Sequence, residues 1–343
     1  MILFVSTLLV LFLFLSADYI AMKVFSKNSL GIQIKIISFF LVPYSLLCLN
    51  AEYFRGYKKT FYFSVFRQTT ITTLSFFILL LFKSSGDLVP LLSYCFSILI
   101  LYILSCFFVY NIFNSKKELI EPKKYKDILK ISIPMMLTSS MFYILQWSDT
   151  LILGMYNSSN DVGIYNIVLK ISLFAGLGLF AVNSIVAPLF AKYFYNGNDE
   201  EFINSVKQSS KLIFWSSVPI LIFIILNANW ILLFFGEEYL FGKIPLMILI
   251  IGQFASSMSG SVGYILQMTG KQNIFQKIIL FSTCINIILN FILIPKFGII
   301  GASFSSMLSI VLWNFLSILY IYKKYNVLTI YIPYYSKKIL NKI

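Results

Sequence analysis

Residues 88–110 read LVPLLSYCFSILILYILSCFFVY, 23 positions without a charged side chain. At 1.5 Å per residue, a helix of that length covers about 35 Å, enough to cross the hydrocarbon core of a bilayer. The stretch lacks the apolar–polar alternation of a membrane barrel strand. Its backbone polar groups, placed in lipid, must pair within the segment, so it reads as a helix. Nine further runs of the same character flank it: 2–17, 34–51, 69–83, 129–153, 162–190, 212–235, 244–267, 274–294 and 299–321. The chain is 59% hydrophobic and 12% charged over 343 residues, more apolar surface than a soluble fold can hide. The expected fold class is all-α, a polytopic membrane protein of about ten transmembrane helices.

The basic residues divide by side. Of the 27 Lys and Arg, 20 fall in one alternating set of gaps: Arg55 through Arg67, Lys116 through Lys130, Lys192 through Lys211, Lys271 and Lys277, and Lys323 through Lys342. Six lie in the other set (Lys23, Lys27, Lys35, Lys83, Lys243 and Lys296), and Lys170 lies inside a run. Cytoplasmic loops carry the excess of positive charge, which assigns both termini to the cytoplasm. The net charge of +14 is thus first a topology signal and only second an affinity for anionic lipid. No basic domain stands outside the membrane to bind nucleic acid. Residues 1–17 read as a span, because a secretory signal would begin with basic residues and none precedes Asp18.

Much chemistry is excluded. The chain has no histidine, so no Ser-His-Asp or Cys-His system and no imidazole metal site is expected. Gly56-Tyr57-Lys58-Lys59-Thr60 lacks the glycines of a phosphate loop. Cys48, Cys95, Cys106 and Cys284 sit in spans without paired spacing, which predicts packing and neither a disulfide framework nor a metal site. Gaps of at most about 20 residues leave no room for an external catalytic domain, and Glu237–Glu238 reads as a solvated turn. No catalytic residue, metal or cofactor is expected.

The informative residues are polar ones inside spans. A charge at a helix centre costs about 2.5–3.5 kcal/mol on insertion scales, so it is expected to face a cavity or a partner. Asp149 lies late in the fifth run, with Gln146 three residues before it. Lys170 lies about two turns into the sixth, with Asn166 four residues earlier. Asp149 and Lys170 could form an ion pair; alternatively Lys170 holds an anionic group in a water-filled cavity, or snorkels to the surface. Asn286 and Asn290, spaced i,i+4 with Thr283 beside them, predict hydrogen bonds between helices. Pro43, Pro188 and Pro219 predict kinks. Arg55 and Arg67 stand with Glu52, Lys58 and Lys59 among Tyr53, Tyr57 and Tyr62. That cluster suits a phosphate-bearing headgroup, or simply marks the cytoplasmic side. Tyr331, Tyr334 and Tyr335 with Lys337 and Lys338 read as a tail on the inner leaflet.

One pattern runs the length of the chain. Lys130-Ile131-Ser132-Ile133-Pro134 opens a span that closes on Asp149-Thr150-Leu151-Ile152-Leu153-Gly154, followed by Val162-Gly163-Ile164-Tyr165. Later come Gln267-Met268-Thr269-Gly270-Lys271 and the stretch Asn290-x-x-Leu293-Ile294-Pro295-x-x-Gly298-x-x-Gly301-Ala302. This order resembles the polysaccharide-biosynthesis flippases of the multidrug/oligosaccharidyl-lipid/polysaccharide exporter superfamily, particularly the Wzx-type O-antigen flippases. The resemblance implies two pseudo-repeated helical lobes in a MATE-like fold, here residues 1–126 with four helices and 127–343 with six and a basic tail. The family's first lobe has six helices, so the chain is expected to lack the first two. It further implies translocation of an undecaprenyl-diphosphate-linked oligosaccharide, an O-antigen or capsule repeat unit, from the inner to the outer leaflet of the bacterial cytoplasmic membrane by alternating access. The implied partners are that lipid-linked oligosaccharide, membrane lipids, and the O-antigen polymerase with its chain-length machinery. Lys170, Arg55, Arg67, Asn166 and Gln146 are then the candidate substrate contacts and Asp149 the coupling or ion-pair residue. The rival readings are a drug/cation antiporter or peptidoglycan-precursor flippase of the same fold, and a membrane-embedded O-antigen polymerase or ligase.

Overall fold

The structure, a computed structural model, describes residues 2–57, 59–81, 86, 88–114 and 125–331. Among these the regular structure is all helical, with no strand, as backbone groups surrounded by lipid require. Two compact units divide it, Met1–Lys123 and Lys124–Ile343.

In the first unit, α1 (Ile2–Tyr19) passes through a π-helical turn (Ile20–Val24) and a bend at Ser26 into α2 (Ser29–Gly56). The short α3 (Thr60–Val65), α4 (Gln68–Leu81) and α5 (Val89–Asn114) follow. Helix α2 packs on α1 and α5, and α5 on α4. Its core gathers Leu47, Phe54, Phe66, Ile71, Ile98 and Leu101, with the rings of Phe54, Tyr62 and Phe66 stacked. At the α1–α2 turn Asp18 and Lys35 form an ion pair of 2.7 Å. The opposite side of lipid-facing α1 leaves Leu3, Phe4, Leu8, Leu11 and Leu15 exposed, which only a hydrocarbon solvent makes stable.

The second unit holds α6 (Tyr125–Tyr156), α7 (Ser159–Phe174), α8 (Leu177–Tyr195), α9 (Asp199–Leu226), α10 (Ala228–Leu233), a 3-10 turn (Glu237–Gly242), α11 (Lys243–Ser259), α12 (Val262–Met268) and α13 (Gln272–Tyr325). Helix α13 packs against α6, α11 and α12, and α8 against α9. Its buried face is rich in serine: Ser303, Ser305, Ser309 and Ser317 each donate to the carbonyl four residues earlier. Hydroxyls satisfied within their own helix let backbones approach closely without orphan groups in lipid.

Seven of the described helices are long and apolar enough to cross a membrane, against the ten expected runs. Three runs make the difference: two join in α13, 69–83 is too short, and 129–153, which is α6, is not among the seven. The runs 274–294 and 299–321 are the two arms of α13, turned on Gly298 (φ 54, ψ −128), a conformation open to glycine and closed to most other residues. The turn is a sharp reversal: a Cβ on Gly301 would stand 2.5 Å from the carbonyl oxygen of Leu293, which in a straight helix lies about 12 Å away. The expected span 162–190 is two helices, α7 and α8, parted at Ala175 and Gly176, and 244–267 is α11 and α12, parted at Gly260 (φ +73). The run at 69–83 is the short apolar helix Thr70–Leu81. These interruptions fall at glycines, and a further one parts 212–235 at Asn227, while Pro43, Pro188 and Pro219 lie inside helices α2, α8 and α9. The chain is an all-α, multi-pass membrane protein.

Candidate functional site

Asp149 is the most informative side chain of the second unit. It sits two turns before the end of α6 and is 2% exposed. Three donors from two other helices converge on its carboxyl group. Asn290 Nδ2 donates to Oδ1 at 2.5 Å, Tyr165 Oη donates to Oδ2 at 3.0 Å, and Ser306 Oγ donates to the same Oδ2. Behind this shell Asn290 Nδ2 also donates to Asn286 Oδ1 at 3.1 Å, and Ser148 Oγ donates to that atom at 2.7 Å.

Each partner is placed by local sequence. Tyr165 lies on α7, whose start is fixed by a capping box: Ser158 Oγ accepts from the Asp161 amide, and Asp161 accepts from the Ser158 amide. Asn286 and Asn290 share a face of the first arm of α13 through their i,i+4 spacing. Ser306 comes from the second arm. Only the reversal at Gly298 brings positions 290 and 306 onto one carboxyl group, since in a straight helix they stand about 24 Å apart.

The network is closed along the α13 hairpin at both ends. On the Gly298 side Ile152, Leu153, Ile294 and Ala302 belong to one apolar cluster. On the far side Phe275, Ile279, Ile318 and Ile321 belong to another. Between them the polar residues Asn286, Asn290, Ser282 and Asn314 are at most 1% exposed.

The other expected site residues are distributed differently. Lys170 does not pair with Asp149: the carboxyl oxygens face Tyr165, Asn290 and Ser306, and Lys170 is exposed. Helical geometry gives the reason, since five residues from Tyr165 turn Lys170 by about 140° from the face that meets Asp149. Asn166 donates to the carbonyl of Val162 on its own helix at 2.9 Å. Gln146 is exposed although Asp149, three residues on, is buried; the face boundary of α6 passes between them. In the first unit Arg67 donates to Glu52 at 3.2 Å and lies over the Phe63 ring, its guanidinium carbon 4.9 Å from the centroid. The Arg55 side chain lies outside the described residues, as do Lys58, Tyr334, Tyr335, Lys337 and Lys338. Tyr331 is packed on Phe214, and its hydroxyl accepts from Trp215 Nε1 at 3.3 Å, so this ring belongs to the bundle. Among the described residues no group of three acidic or sulfur side chains gathers as metal ligands.

Sequence marks Tyr165 only as part of the pattern at 162–165, with no role, and does not mark Ser306. A tyrosine among Ile and Val reads as core, and Ser306 is one of several serines on its arm. The one available signal was Asp149 itself, whose burial demands donors from facing helices.

Comparison with known proteins adds the lineage. The polysaccharide biosynthesis protein family matches residues 1–194, more than half of the chain, and the MatE family matches residues 134–292. The capsular polysaccharide biosynthesis protein CapF of Staphylococcus aureus is 26% identical over 208 residues, covering 59% of this chain and 51% of CapF. The probable low-salt glycan biosynthesis flippase Agl15 of Haloferax volcanii is 27% identical over 172 residues, 49% of this chain and 36% of that protein. The chain thus spans about half or less of these curated relatives. A solved inward-facing multidrug resistance transporter of the MATE family, MOP superfamily, superposes with a TM-score of 0.77 at 11% identity, covering 95% of this chain and 79% of that one. At that identity the likeness is one of fold.

Proposed function

The chain belongs to the polysaccharide biosynthesis protein family, and from that premise we propose that it is a flippase for a lipid-linked oligosaccharide. The cargo is an O-antigen or capsule repeat unit carried on undecaprenyl diphosphate, moved from the inner to the outer leaflet of the bacterial cytoplasmic membrane by alternating access. Both termini lie in the cytoplasm on this reading, following the 20 to 6 split of basic residues. No bond of the cargo is made or broken, so the protein is a transporter and not an enzyme.

The observation that carries the reading of driven transport is the Asp149 network. A buried carboxyl group whose described partners are all neutral is costly in a membrane, and such groups are kept where they move protons or ions. A carboxylate offers about four acceptor positions, and neutral side chains already surround it, three of them donating with Asn286 beside them, a shell suited to a proton or ion bound during transport. Asp149 is the coupling residue on this account. Lys170, exposed near the end of α7, and the basic rim of Arg55 and Arg67 attract the diphosphate, with Gln146 and Asn166 near the path of the cargo. An extracytoplasmic O-antigen polymerase with its chain-length machinery is the partner that would consume the product.

The test is reconstitution. The purified chain in liposomes should make an inner-leaflet lipid-linked oligosaccharide accessible to an externally added lectin or glycosidase, and Asp149→Asn should abolish most of that accessibility. Equal accessibility in protein-free liposomes would sink the proposal. The MatE match over residues 134–292 favours a second reading, a drug/cation antiporter. Export of a cationic dye without lipid-linked sugar movement would establish that one instead.

A further inference from the structure

Five polar side chains of α13 hold an atom with no hydrogen-bond partner: Tyr325 Oη at the end of the second arm and, deeper in the hairpin, Asn290 Oδ1, Asn286 Nδ2, Ser282 Oγ and Asn314 Oδ1. The four deeper residues are at most 1% exposed. Buried polar atoms in native proteins are paired, and the ones without a protein partner are satisfied by water. Reversing an amide does not supply the partner: at Asn290 it would turn Oδ1 onto the Asp149 carboxyl group, and at Asn314 onto the Ile310 carbonyl.

Their positions form an ordered series. Asn290 and Ser306 stand at one level, since both touch Asp149. Ser282 and Asn314 each lie eight residues further from the hairpin turn, and on two helical arms eight residues amount to about 12 Å. Asn286 lies between, one turn from Asn290 and one turn from Ser282. Successive orphan atoms are therefore about one helical turn apart, a spacing that a single bridging water with two to four polar partners can span. Beyond Ser282 and Asn314 the interior turns apolar at Ile279, Ile318, Phe275 and Ile321.

The geometry points to a hydrated compartment inside the second unit, running from Asp149 to the level of Ser282 and Asn314, that opens to the cytoplasm when the Phe275–Ile279–Ile318–Ile321 plug parts. The basic residues Lys271 and Lys277 put that end of α13 in the cytoplasm. The compartment gives the carboxyl group a solvent route that does not cross the apolar cluster around Leu153 and Ile294. The functional meaning of the route rests on Asp149 being the coupling residue; its existence does not.

Thiol labelling tests it. In a chain with Cys48, Cys95, Cys106 and Cys284 replaced and lipid-linked sugar movement retained, cysteine is placed singly at Ser282, Asn314 and, as a control in the apolar cluster, Ala302. A charged methanethiosulfonate is applied from the cytoplasmic side of inside-out vesicles. Ser282→Cys and Asn314→Cys should react, and at least tenfold faster when Ile318→Ser polarises the plug; Ile279→Ser is the second plug variant. Ala302→Cys should stay unreacted until detergent unfolds the protein. Two results overturn the proposal: Ser282→Cys and Asn314→Cys as inert as Ala302→Cys in every background, or a reaction rate that does not respond to the plug. Normal transport by Asp149→Asn would overturn the coupling reading and leave the labelling result standing.

Discussion

Replacing Asp149 by asparagine removes one charge while keeping the shape of the side chain. Three donors now reach the carboxyl group. A hydrogen bond to a charged group is worth about 1.5–3 kcal/mol and a neutral one about 0.5–1.5 kcal/mol. With Tyr165 and Ser306 kept on the amide oxygen and the Asn290 amide reversed to accept from the new Nδ2–H, three neutral bonds replace three charged ones and lose about 3–4 kcal/mol. Against this, a charge within the membrane core costs about 2.5–3.5 kcal/mol, and the substitution recovers that. The two terms cancel to within about 1 kcal/mol, a few degrees in Tm. Asp149→Leu behaves differently, because Asn290 Nδ2 and the hydroxyls of Tyr165 and Ser306 lose their acceptor. Tyr165 and Ser306 are 3.5 Å apart and can pair with each other, so about two donors are orphaned, at about 1–3 kcal/mol each. The expected order of thermal stability in detergent is wild type near Asp149→Asn, both above Asp149→Leu. Oligosaccharide translocation should fall about tenfold or more in both variants, the size of a coupling free energy of about 1.4 kcal/mol or more. Equal stability of the Asn and Leu variants would refute the network, and undiminished transport by Asp149→Asn would refute its role.

Three other outcomes are expected. Gly301→Ala would place a methyl 2.5 Å from the Leu293 oxygen and 2.6 Å from its carbon; overpacking against backbone should cost about 1–3 kcal/mol, and an unchanged Tm would contradict the tight reversal of α13. Lys170→Ala should lower translocation with little loss of stability, because Lys170 is exposed, and Lys170→Arg should restore it; normal translocation by Lys170→Ala at normal abundance removes this residue from the cargo path. Ser158→Ala removes the cap of α7 and should cost about 1 kcal/mol, read as a lower Tm; no change would show that α7 is held by packing alone.

Sequence made the membrane class and most spans legible because lipid imposes a coarse rule on composition and length. It also marked Asp149, Asn286 and Asn290, since polar groups stand out against Leu, Ile and Phe. Helix continuity was not legible in hydropathy alone. Gly298 and Gly260 adopt positive φ within stretches whose apolar character continues on both sides, and Gly176 marks a third break. Nor was the partnership of Asp149. An ion pair with Lys170 satisfies charge counting, but the rotation between Tyr165 and Lys170 on α7 turns the lysine away. Three neutral donors do the work instead, two of them, Tyr165 and Ser306, indistinguishable by type from packing residues. Lys170 and Arg67 are both exposed, so what they touch during transport depends on the cargo and is written in neither helix period nor hydropathy.

The most direct test of the flippase reading uses the source cell with this gene deleted and then resupplied as the 343-residue chain. The quantity to measure is the fraction of lipid-linked oligosaccharide reachable from the outer face of the cytoplasmic membrane. Accumulation in the inner leaflet on deletion, reversed by the chain and not by its Asp149→Asn variant, is the predicted result. An outer-face fraction that stays at the wild-type level after deletion would contradict it.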